Sequence, residues 1–203
     1  MSFKIIVISS PTAIPAETEK IIALFRAGLK IFHLRKPGMS KAGYRKLLGN
    51  IPPKYHSRIV LHAHHSLANE FKVRGIHFTE KERKKDRGER NKRLKYSASL
   101  HAVVDVFLCR NAYDYVFISP VFDSISKKHL ESKFELEILS RFFAEYCTLP
   151  GRNAEVIALG GVNEKNVRKV FNAGFHGAAL LGAIWQSKDP VKNFLKIGSK
   201  ITE

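Results

Sequence analysis

The stretch ALGGVNEKNVRKVFNAGFHGAALLGAI, residues 158–184, contains two short apolar runs that each end in glycine. The first run ends at Gly160-Gly161 and the second at Gly182, and a segment of helix length lies between them. Short apolar runs bounded by glycine are typical of buried strands, and the intervening segment has apolar residues at helical spacing. The stretch therefore predicts a strand, a helix and a second strand of one parallel sheet.

The same alternation of strand-like and helix-like segments continues through the whole chain. The predicted strands cover residues 4–9, 30–35, 58–64, 75–78, 95–101, part of 113–122, 155–161 and 177–184. Eight strand–helix units within 203 residues predict a single (β/α)8 TIM barrel of the α/β class, with residues 1–203 as one domain. A doubly wound open sheet is the alternative, and we disfavour it because no dinucleotide-binding fingerprint follows any strand.

The helices are predicted from capping residues and from the spacing of apolar residues. Ser40 is a candidate N-cap for the helix that buries Tyr44. After the fifth strand, Val104, Phe107 and Leu108 have helical spacing, so that one face would carry all three. We expect that face to point inward.

The composition is that of a folded domain, with 44% hydrophobic and 26% charged residues. Cys109 and Cys147 lack the spacing of metal ligands, so we expect two free thiols. No apolar run reaches the roughly 18–20 residues that a membrane-spanning helix needs. We therefore expect a cytoplasmic protein without a membrane partner.

The chain is strongly basic, with 35 Lys and Arg residues against 18 Asp and Glu residues and a formal net charge of +17. Such a charge favours anionic partners, either nucleic acid or phosphorylated metabolites. The densest basic run, KERKKDRGERNKRLK at 81–95, contains no aromatic residue and adjoins no nucleic-acid-binding motif. We predict a solvated loop or short helix there and small phosphorylated substrates as partners. Nucleic-acid binding through residues 81–95 is the disfavoured alternative.

The active sites of TIM barrels lie at the carboxyl ends of the strands, and phosphate often binds after strands seven and eight. Gly160, Gly161 and Gly182 stand at those two strand ends. Glycine allows backbone N–H groups to approach a phosphate directly, so we predict a phosphate site there. The alternative is that these glycines only form tight turns or permit close packing.

Polar side chains at the ends of strands two to five share one parity along each strand, so each set faces either into the barrel or away from it. They are His33, Arg35, His62, His64, His77, Ser97, Ser99 and His101. If they face inward, they line a pocket at the barrel mouth. Two interpretations stay open for the histidines: a zinc site of His62, His64 and another imidazole, or ordinary hydrogen-bonded pocket groups.

The segment after strand six, SPVFDSISKK at 119–128, supplies Ser124, Ser126 and Lys127. Two hydroxyls and a cation suit an anion, with the lysine acting as a point charge. Together with the glycines after strands seven and eight, they favour a phosphate-binding mouth.

Six motifs occur in order along the chain. They are FHLRKPGMSKAGYRKLL at 32–48, GIHF at 75–78, SASLH at 97–101, DYVFISPVFDSISK at 114–127, ALGGV at 158–162 and GAALLGAI at 177–184. Together they resemble the thiamine phosphate synthases and their thiazole tautomerase relatives, and the resemblance covers nearly the whole chain. It implies an enzyme of thiamine biosynthesis.

For a synthase, the resemblance implies a transferase that joins a hydroxymethylpyrimidine diphosphate to a thiazole phosphate. Positive groups and Mg²⁺ then stabilise the departing pyrophosphate. Arg35 and Lys127 match the family's pyrophosphate-binding cations. The family's hydroxyl ligands correspond to Ser99, Ser124 and Ser126.

The resemblance also implies how the other substrate groups bind. Backbone amides of Gly160, Gly161 and Gly182 would hold the thiazole phosphate. The family's pyrimidine-binding amide is replaced by His33.

The diphosphate half of the site departs from the family pattern. The synthases carry Asn-Asp at the end of strand three, where the aspartate binds Mg²⁺, whereas this chain has His62-Ala63, and a methyl group cannot ligate a hard cation. The second carboxylate of the family appears as Glu82, the one candidate metal ligand that remains. The lysine two places after Arg35 is replaced by Pro37. The resemblance therefore implies an incomplete Mg²⁺ site beside an intact monophosphate site.

This pattern leaves an isomerase of the thiazole tautomerase type open, which moves a proton on a thiazole carboxylate phosphate and needs no metal. Its acid–base histidine follows strand six, where this chain has Pro120, so His101 or His33 would have to take that role. The synthase is the favoured hypothesis, because water or Glu82 can replace a lost metal ligand. A phosphate-binding barrel without catalysis is a third hypothesis, and the sequence leaves a homo-oligomer open.

Overall fold

A closed barrel of parallel strands forms the centre of the molecule in a computed structural model that describes residues 3–123 and 135–202. Neighbouring strands pair in chain order, and the last strand pairs with the first, which closes the barrel. Over the described residues the strands are β1 Lys4–Ile8, β2 Ile31–Leu34, β3 Ile59–Leu61, β4 Gly75–Phe78, β5 Lys95–Leu100, β6 Tyr115–Ile118, β7 Glu155–Leu159 and β8 Gly177–Leu180. The predicted (β/α)8 TIM barrel is confirmed.

Helices connect the strands and cover the outside of the barrel. Those in the described ranges are α1 Glu17–Arg26, α2 Lys41–Gly49, α3 Leu67–Glu70, α4 Glu80–Arg83, α5 Val104–Cys109, α6 Leu136–Thr148, α7 Val167–Asn172, α8 Gly182–Trp185 and α9 Pro190–Thr202. A 3₁₀ helix covers Pro53–Arg58. Among the described helices, none has the length and apolar character needed to cross a lipid bilayer.

Two strands end three or four residues earlier than the sequence predicts. The third strand was expected at 58–64 but ends at Leu61, and His64 has a φ of 53°, a left-handed conformation that cannot continue a strand. The eighth strand was expected at 177–184 but ends at Leu180, and Gly182 already belongs to α8. In both places the chain turns at the barrel mouth instead of extending beyond it.

The apolar side chains form two cores, one inside the barrel and one between the barrel and its helices. Inside the barrel the packed residues are Ile6, Ile8, Ile31, Val60, Tyr115, Phe117, Ile157 and Ala179. The outer core contains the inner faces of the helices, including Leu24 of α1 and Tyr44 of α2. Ser40 caps α2 as predicted, because its Oγ accepts a hydrogen bond of 3.1 Å from the backbone N–H of Gly43.

Helix α5 packs against the barrel with a different face from the predicted one. Val104 and Leu108 are 62% and 76% exposed, and Phe107 is 37% exposed, whereas Val106 and Cys109 are buried. The prediction that Val104, Phe107 and Leu108 point inward is therefore wrong. The helix has only six residues with apolar side chains on both faces, so their spacing did not decide which face is inner. The ring of Phe107 packs edge-to-face against the ring of Phe142 in α6, with 4.9 Å between ring centroids.

The basic run at 81–95 begins within the short helix α4 and continues as a loop, which matches the predicted loop or short helix. The loop is anchored by Arg90, whose Nη2 donates a hydrogen bond of 2.6 Å to Asp86 Oδ2. The guanidinium of Arg90 also lies 4.5 Å from the ring centroid of Tyr96. Cys109 and Cys147 are free thiols, as predicted.

Candidate active site

Three histidine side chains meet inside the barrel toward its carboxyl-terminal mouth. His33 comes from β2, His77 comes from β4, and His62 follows directly after β3. Alternation along the strands turns all three inward, which is one of the two orientations that their parity allowed. His33 and His77 are completely buried and His62 is 9% exposed. We call these three residues the histidine cluster.

The rings of the histidine cluster are in direct contact. A hydrogen bond of 2.8 Å joins His33 Nδ1 and His62 Nε2. The ring of His62 stacks on that of His77, with 4.1 Å between centroids and 25° between planes. On its other side, His33 Nε2 lies 2.6 Å from Tyr115 Oη of β6. Both nitrogens of His33 are therefore hydrogen-bonded inside the barrel.

Two hydroxyl groups of β5 hold the third ring. Ser97 Oγ lies 2.8 Å from His77 Nδ1, and Ser99 Oγ lies 2.8 Å from His77 Nε2. Both nitrogens of His77 are satisfied, as a buried polar ring requires. Ser99, a predicted substrate ligand, is partly exposed and lies nearer the mouth than the fully buried Ser97.

The histidine cluster is electrically neutral at neutral pH. Burial lowers the pKa of His77 to about 3. Burial, followed by the electrostatic effect of His77, holds the pKa values of His33 and His62 well below the ordinary value for histidine. Burial also raises the pKa of Tyr115, so its phenol keeps its proton. Each imidazole therefore carries one N–H and one lone pair.

His64 lies apart from the histidine cluster. Its Nε2 is 2.8 Å from the carbonyl oxygen of Met39, and its ring packs edge-on against Tyr44. The left-handed φ of His64 turns its side chain away from the barrel interior. The zinc interpretation that paired His62 with His64 is therefore wrong in that pairing, because the histidines next to His62 are His33 and His77.

Arg35 follows β2 at the mouth, and Ser9 fixes its main chain. Ser9 Oγ accepts a hydrogen bond of 2.8 Å from Arg35 N and donates one of 2.9 Å to Arg35 O. The Arg35 side chain is partly exposed, and it forms no ion pair with any residue of 3–123 or 135–202. This guanidinium is thus available to an anion at the mouth.

The neighbouring cation, Lys36, has a structural role instead. It is only 3% exposed, and its Nζ lies 2.5 Å from Glu17 Oε1 and 2.8 Å from the carbonyl oxygen of Thr12. A lysine held by these partners does not reach into the mouth. It therefore does not replace the family lysine whose place Pro37 takes.

Gly160 and Gly161 adopt left-handed conformations at the end of β7, with φ of 96° and 66°. A Cβ atom on Gly160 would lie 2.8 Å from Pro120 Cα, and one on Gly161 would lie 2.4 Å from the carbonyl oxygen of Asp123. Both distances are too short for a side chain. Close contact with the segment after β6 therefore requires glycine at both positions. This agrees with the alternative interpretation of the sequence, in which the glycines permit close packing.

The remaining predicted residues lie at the mouth or beyond the described ranges. Gly182 is the first residue of α8 and is partly exposed. His101 follows β5 with half of its side chain exposed, and its Nδ1 lies 3.0 Å from the carbonyl oxygen of Ser119. Ser124, Ser126 and Lys127 lie outside the described residues.

Comparison with known proteins identifies the family of this chain. The family model of thiamine monophosphate synthase matches residues 5–184. The chain belongs to the thiamine monophosphate synthase family. Thiamine-phosphate synthase of Listeria monocytogenes serotype 4a (strain HCC23) is 28% identical over 179 residues, which cover 81% of this chain and 79% of that protein.

Solved structures of the family agree with this membership. Thiamine phosphate pyrophosphorylase from Bacteroides thetaiotaomicron is 33% identical, covers 98% of both chains and superimposes with a TM-score of 0.82. The thiamine phosphate pyrophosphorylase from Pyrococcus furiosus is 16% identical with a TM-score of 0.77 over 98% of this chain and 96% of that one, which shows the shared fold. The homologues indicate a transferase.

The described residues do not fit the Mg²⁺ site that the family resemblance implies. Ala63 has no ligand atom, and Glu82 closes a capping box at the start of α4. Glu82 Oε2 accepts hydrogen bonds from Thr79 N at 2.8 Å and Thr79 Oγ1 at 2.6 Å. Among the described residues, the histidine cluster is the only group of three or more His, Cys, Asp or Glu residues that could hold a metal ion. Neutral nitrogen ligands are a poor match for Mg²⁺.

The position of Pro120 bears on the tautomerase alternative within the same family. Pro120 is buried and lies against Gly160. Its ring offers no proton to transfer, so position 120 cannot supply acid–base chemistry.

Sequence reasoning singled out His33, His62 and His77 but not their hydrogen-bonding partner Tyr115. Tyr115 shares its inward parity with Phe117 on a strand of aromatic and aliphatic residues, where a tyrosine resembles core packing. If the three histidines are taken to face inward, then the polar residue of β6 that faces the same interior is Tyr115, and this reasoning identifies it as their partner.

Proposed function

We propose that the chain is a thiamine phosphate synthase-type transferase, which joins a hydroxymethylpyrimidine diphosphate to a thiazole phosphate and releases pyrophosphate. The observation that carries this proposal is the family match over residues 5–184, which extends from β1 to β8. The 33% identical pyrophosphorylase structure, which covers 98% of both chains, supports it. Residues 1–203 act as one catalytic domain in this proposal.

The bond between the pyrimidine methylene carbon and the pyrophosphate oxygen breaks, and the thiazole nitrogen forms a bond to that carbon. Negative charge accumulates on the departing pyrophosphate, so cations placed there lower the barrier. Arg35 is suited to this role, because its partly exposed guanidinium has no ion-pair partner among the described residues. Lys127 is the second proposed cation. Ser99, Ser124 and Ser126 donate hydrogen bonds to the same anion.

Backbone amides at Gly160, Gly161 and Gly182 bind the thiazole phosphate in this proposal. Both strand ends lie at the mouth of the barrel, β7 next to β8. The bend at Gly160 and Gly161 is fixed by contact with Pro120 and Asp123, so the amides are preorganised. A preorganised backbone loses little freedom when the anion binds.

His33 is completely buried, so in this proposal it lies beneath the pyrimidine site and does not bind the pyrimidine directly. It is bonded to His62 and Tyr115, which fix the orientation of the ring. No step of this proposal is routed through Mg²⁺, because Ala63 and the capping Glu82 do not provide its carboxylate ligands.

The tautomerase hypothesis is the second candidate, and the methyl group of Ala63 favours it, because the tautomerases need no metal. His101 is then the proposed acid–base group, since its half-exposed ring is open to a substrate at the mouth. The absence of a proton-transferring group at Pro120 counts against it. A barrel that binds phosphate without catalysis is the third candidate.

A direct assay separates these functions. The purified chain is incubated with both phosphorylated substrates, with and without Mg²⁺, and thiamine phosphate and pyrophosphate are quantified. The synthase proposal expects both products in equal amounts. Proton exchange on the thiazole carboxylate phosphate without thiamine phosphate would establish the tautomerase instead. Binding of thiazole phosphate without either reaction would leave only the third candidate.

A further inference from the structure

The histidine cluster has the composition of a transition-metal site. One nitrogen from each of His33, His62 and His77 lies within 4.8 Å of the corresponding nitrogen of the other two. His33 Nδ1 and His62 Nε2 are only 2.8 Å apart and face each other in a hydrogen bond, which a metal ion between them would replace. Tetrahedral Zn²⁺ with Zn–N bonds of about 2.0 Å holds its nitrogen ligands about 3.3 Å apart. Ring rotations that move His33 Nδ1 about 0.5 Å further from His62 Nε2 and bring the His77 nitrogen to a similar distance would give this spacing.

The rings of His33 and His77 also have hydrogen-bond partners that would orient them as metal ligands. Metal-binding histidines almost always bond their second nitrogen to a neighbouring polar group, which fixes the ring and its tautomer. Tyr115 provides this bond for His33, since its Oη lies 2.6 Å from the nitrogen that faces away from His62. Ser97 and Ser99 flank His77, so one serine remains bonded when the other nitrogen turns to the metal.

The position of the histidine cluster is unusual for the inside of a TIM barrel. The interiors of TIM barrels are usually filled by layers of bulky branched residues. Here three polar rings take up that space beside Phe117, whose ring centroid lies 4.8 Å from that of His33 and 4.9 Å from that of His77. Burying polar groups is unfavourable unless every lone pair and N–H is satisfied. Hydrogen bonds already satisfy both nitrogens of His33 and of His77, so a bound cation would replace one of these bonds on each ring.

We propose that His33, His62 and His77 bind one divalent transition-metal ion, with Zn²⁺ as the first choice, through three neutral imidazole nitrogens. The fourth position stays open for water or an anion, as in sites that have only three protein ligands. Neutral nitrogen donors select Zn²⁺, Co²⁺, Ni²⁺ or Cu²⁺ over Mg²⁺. This inference goes beyond the proposed reaction and does not depend on it.

The test uses Co²⁺ as a spectroscopic substitute for Zn²⁺. The full chain, without an affinity tag and freed of metal by a chelator, is titrated with Co²⁺ while the visible absorption is recorded. We expect the intense bands of four-coordinate Co²⁺ to saturate at about one equivalent, and Zn²⁺ but not Mg²⁺ to remove them. The absence of such bands in the wild-type chain, together with no retained Zn²⁺ after gel filtration, would overturn the proposal.

Variants assign the ligands. His33→Gln, His62→Gln and His77→Gln are each expected to weaken Co²⁺ binding more than about 100-fold, whereas Tyr115→Phe weakens it about 10-fold to 100-fold with an unchanged spectrum. His101→Gln is the matched control, because it removes a histidine at the same mouth but outside the histidine cluster. Loss of the bands in His101→Gln, or their retention in folded variants of the cluster, would refute the assignment.

A second measurement does not depend on how the variants fold. X-ray absorption of the Zn²⁺ complex of the wild-type chain counts the nitrogen neighbours of the metal. Three imidazole nitrogens at about 2.0 Å are expected. One or none would show that the ion binds at the surface and not inside the barrel.

Discussion

The buried ammonium group of Lys36 lies 2.5 Å from Glu17 Oε1, with 2% of the lysine side chain and 11% of the glutamate side chain exposed. This pair ties the end of β2 to the start of α1, directly beside Arg35. Removing one partner would leave the other charge buried without compensation, which destabilises proteins by about 3–5 kcal/mol. We therefore expect Glu17→Gln to lower the free energy of unfolding by about 3 kcal/mol, measured by urea denaturation.

The exposed pair between Arg45 and Glu70 is the matched control, with side chains 49% and 43% exposed. Exposed pairs contribute little because water screens them. Glu70→Gln should leave the urea midpoint unchanged. Equal midpoints for Glu17→Gln and the wild-type chain would show that the Lys36 pair has no stabilising role.

The different roles of Arg35 and Lys36 give a prediction about activity. Arg35→Met removes the proposed leaving-group cation, and we expect the rate of pyrophosphate release to fall by about 100-fold or more. The control is Arg45→Met, which removes a surface guanidinium on α2. Initial rates with both substrates measure the effect. An unchanged rate in folded Arg35→Met would remove Arg35 from the mechanism.

The sequence predicted the barrel because the number and order of the strands are local features. Apolar runs and glycines mark each strand, and closure follows once eight parallel strands alternate with helices. Local sequence does not show which of two neighbouring cations forms an ion pair with a distant carboxylate. Lys36 and Arg35 are adjacent in sequence, and only the three-dimensional position of Glu17 shows which of them is neutralised.

The histidine cluster was predicted in part for the same reason. Parity placed His33, His62 and His77 on one face of their strands, but parity alone does not distinguish inward from outward. His64 has the same parity as His62, yet the chain leaves the strand at Leu61 and turns His64 toward Met39. The strand end, which is the least reliable feature of a sequence-based prediction, decided the membership of the cluster.

Helix α5 allows the corrected burial pattern to be tested. Val106 is fully buried and Leu108 is 76% exposed, although both are aliphatic and belong to the same helix. Val106→Ala should lower the free energy of unfolding by about 2 kcal/mol, because it removes buried methyl groups and leaves a cavity. Leu108→Ala should change it by less than about 0.5 kcal/mol. Thermal and urea unfolding measure both variants, and a larger loss for Leu108→Ala would reverse the orientation of α5.

The anchored basic loop predicts a dependence of stability on acid. The hydrogen bonds from Arg90, and next that from Tyr113, lower the pKa of Asp86 to about 2, and 9% of its side chain is exposed. Because the pKa is lower in the folded state, Asp86 stabilises the fold above its ordinary pKa. That stabilisation disappears as the pH falls from about 4 to about 2 and amounts to about 2 kcal/mol.

Asp86→Asn isolates this contribution. The variant should be less stable than the wild-type chain at pH 7, and the difference should shrink as the pH approaches about 2. Glu89→Gln is the control, since it removes an exposed acid from the same loop. A difference between Asp86→Asn and wild type that stays constant across this pH range would contradict the assignment to Asp86.

Gly160 provides a test of why glycine stands at the end of β7. Its φ of 96° disfavours any side chain, and a Cβ would also meet Pro120 Cα at 2.8 Å. Gly28 has a similar φ of 103° but no heavy atom within 4 Å of the added Cβ, so Gly28→Ala measures the backbone strain alone. That strain is about 1 kcal/mol, whereas Gly160→Ala must in addition displace the segment at Pro120, so we expect it to cost about 3 kcal/mol or more. Urea denaturation of both variants gives the difference. Equal costs would mean that the segment after β6 yields freely, and the demand for glycine at position 160 would then come from the ligand and not from packing.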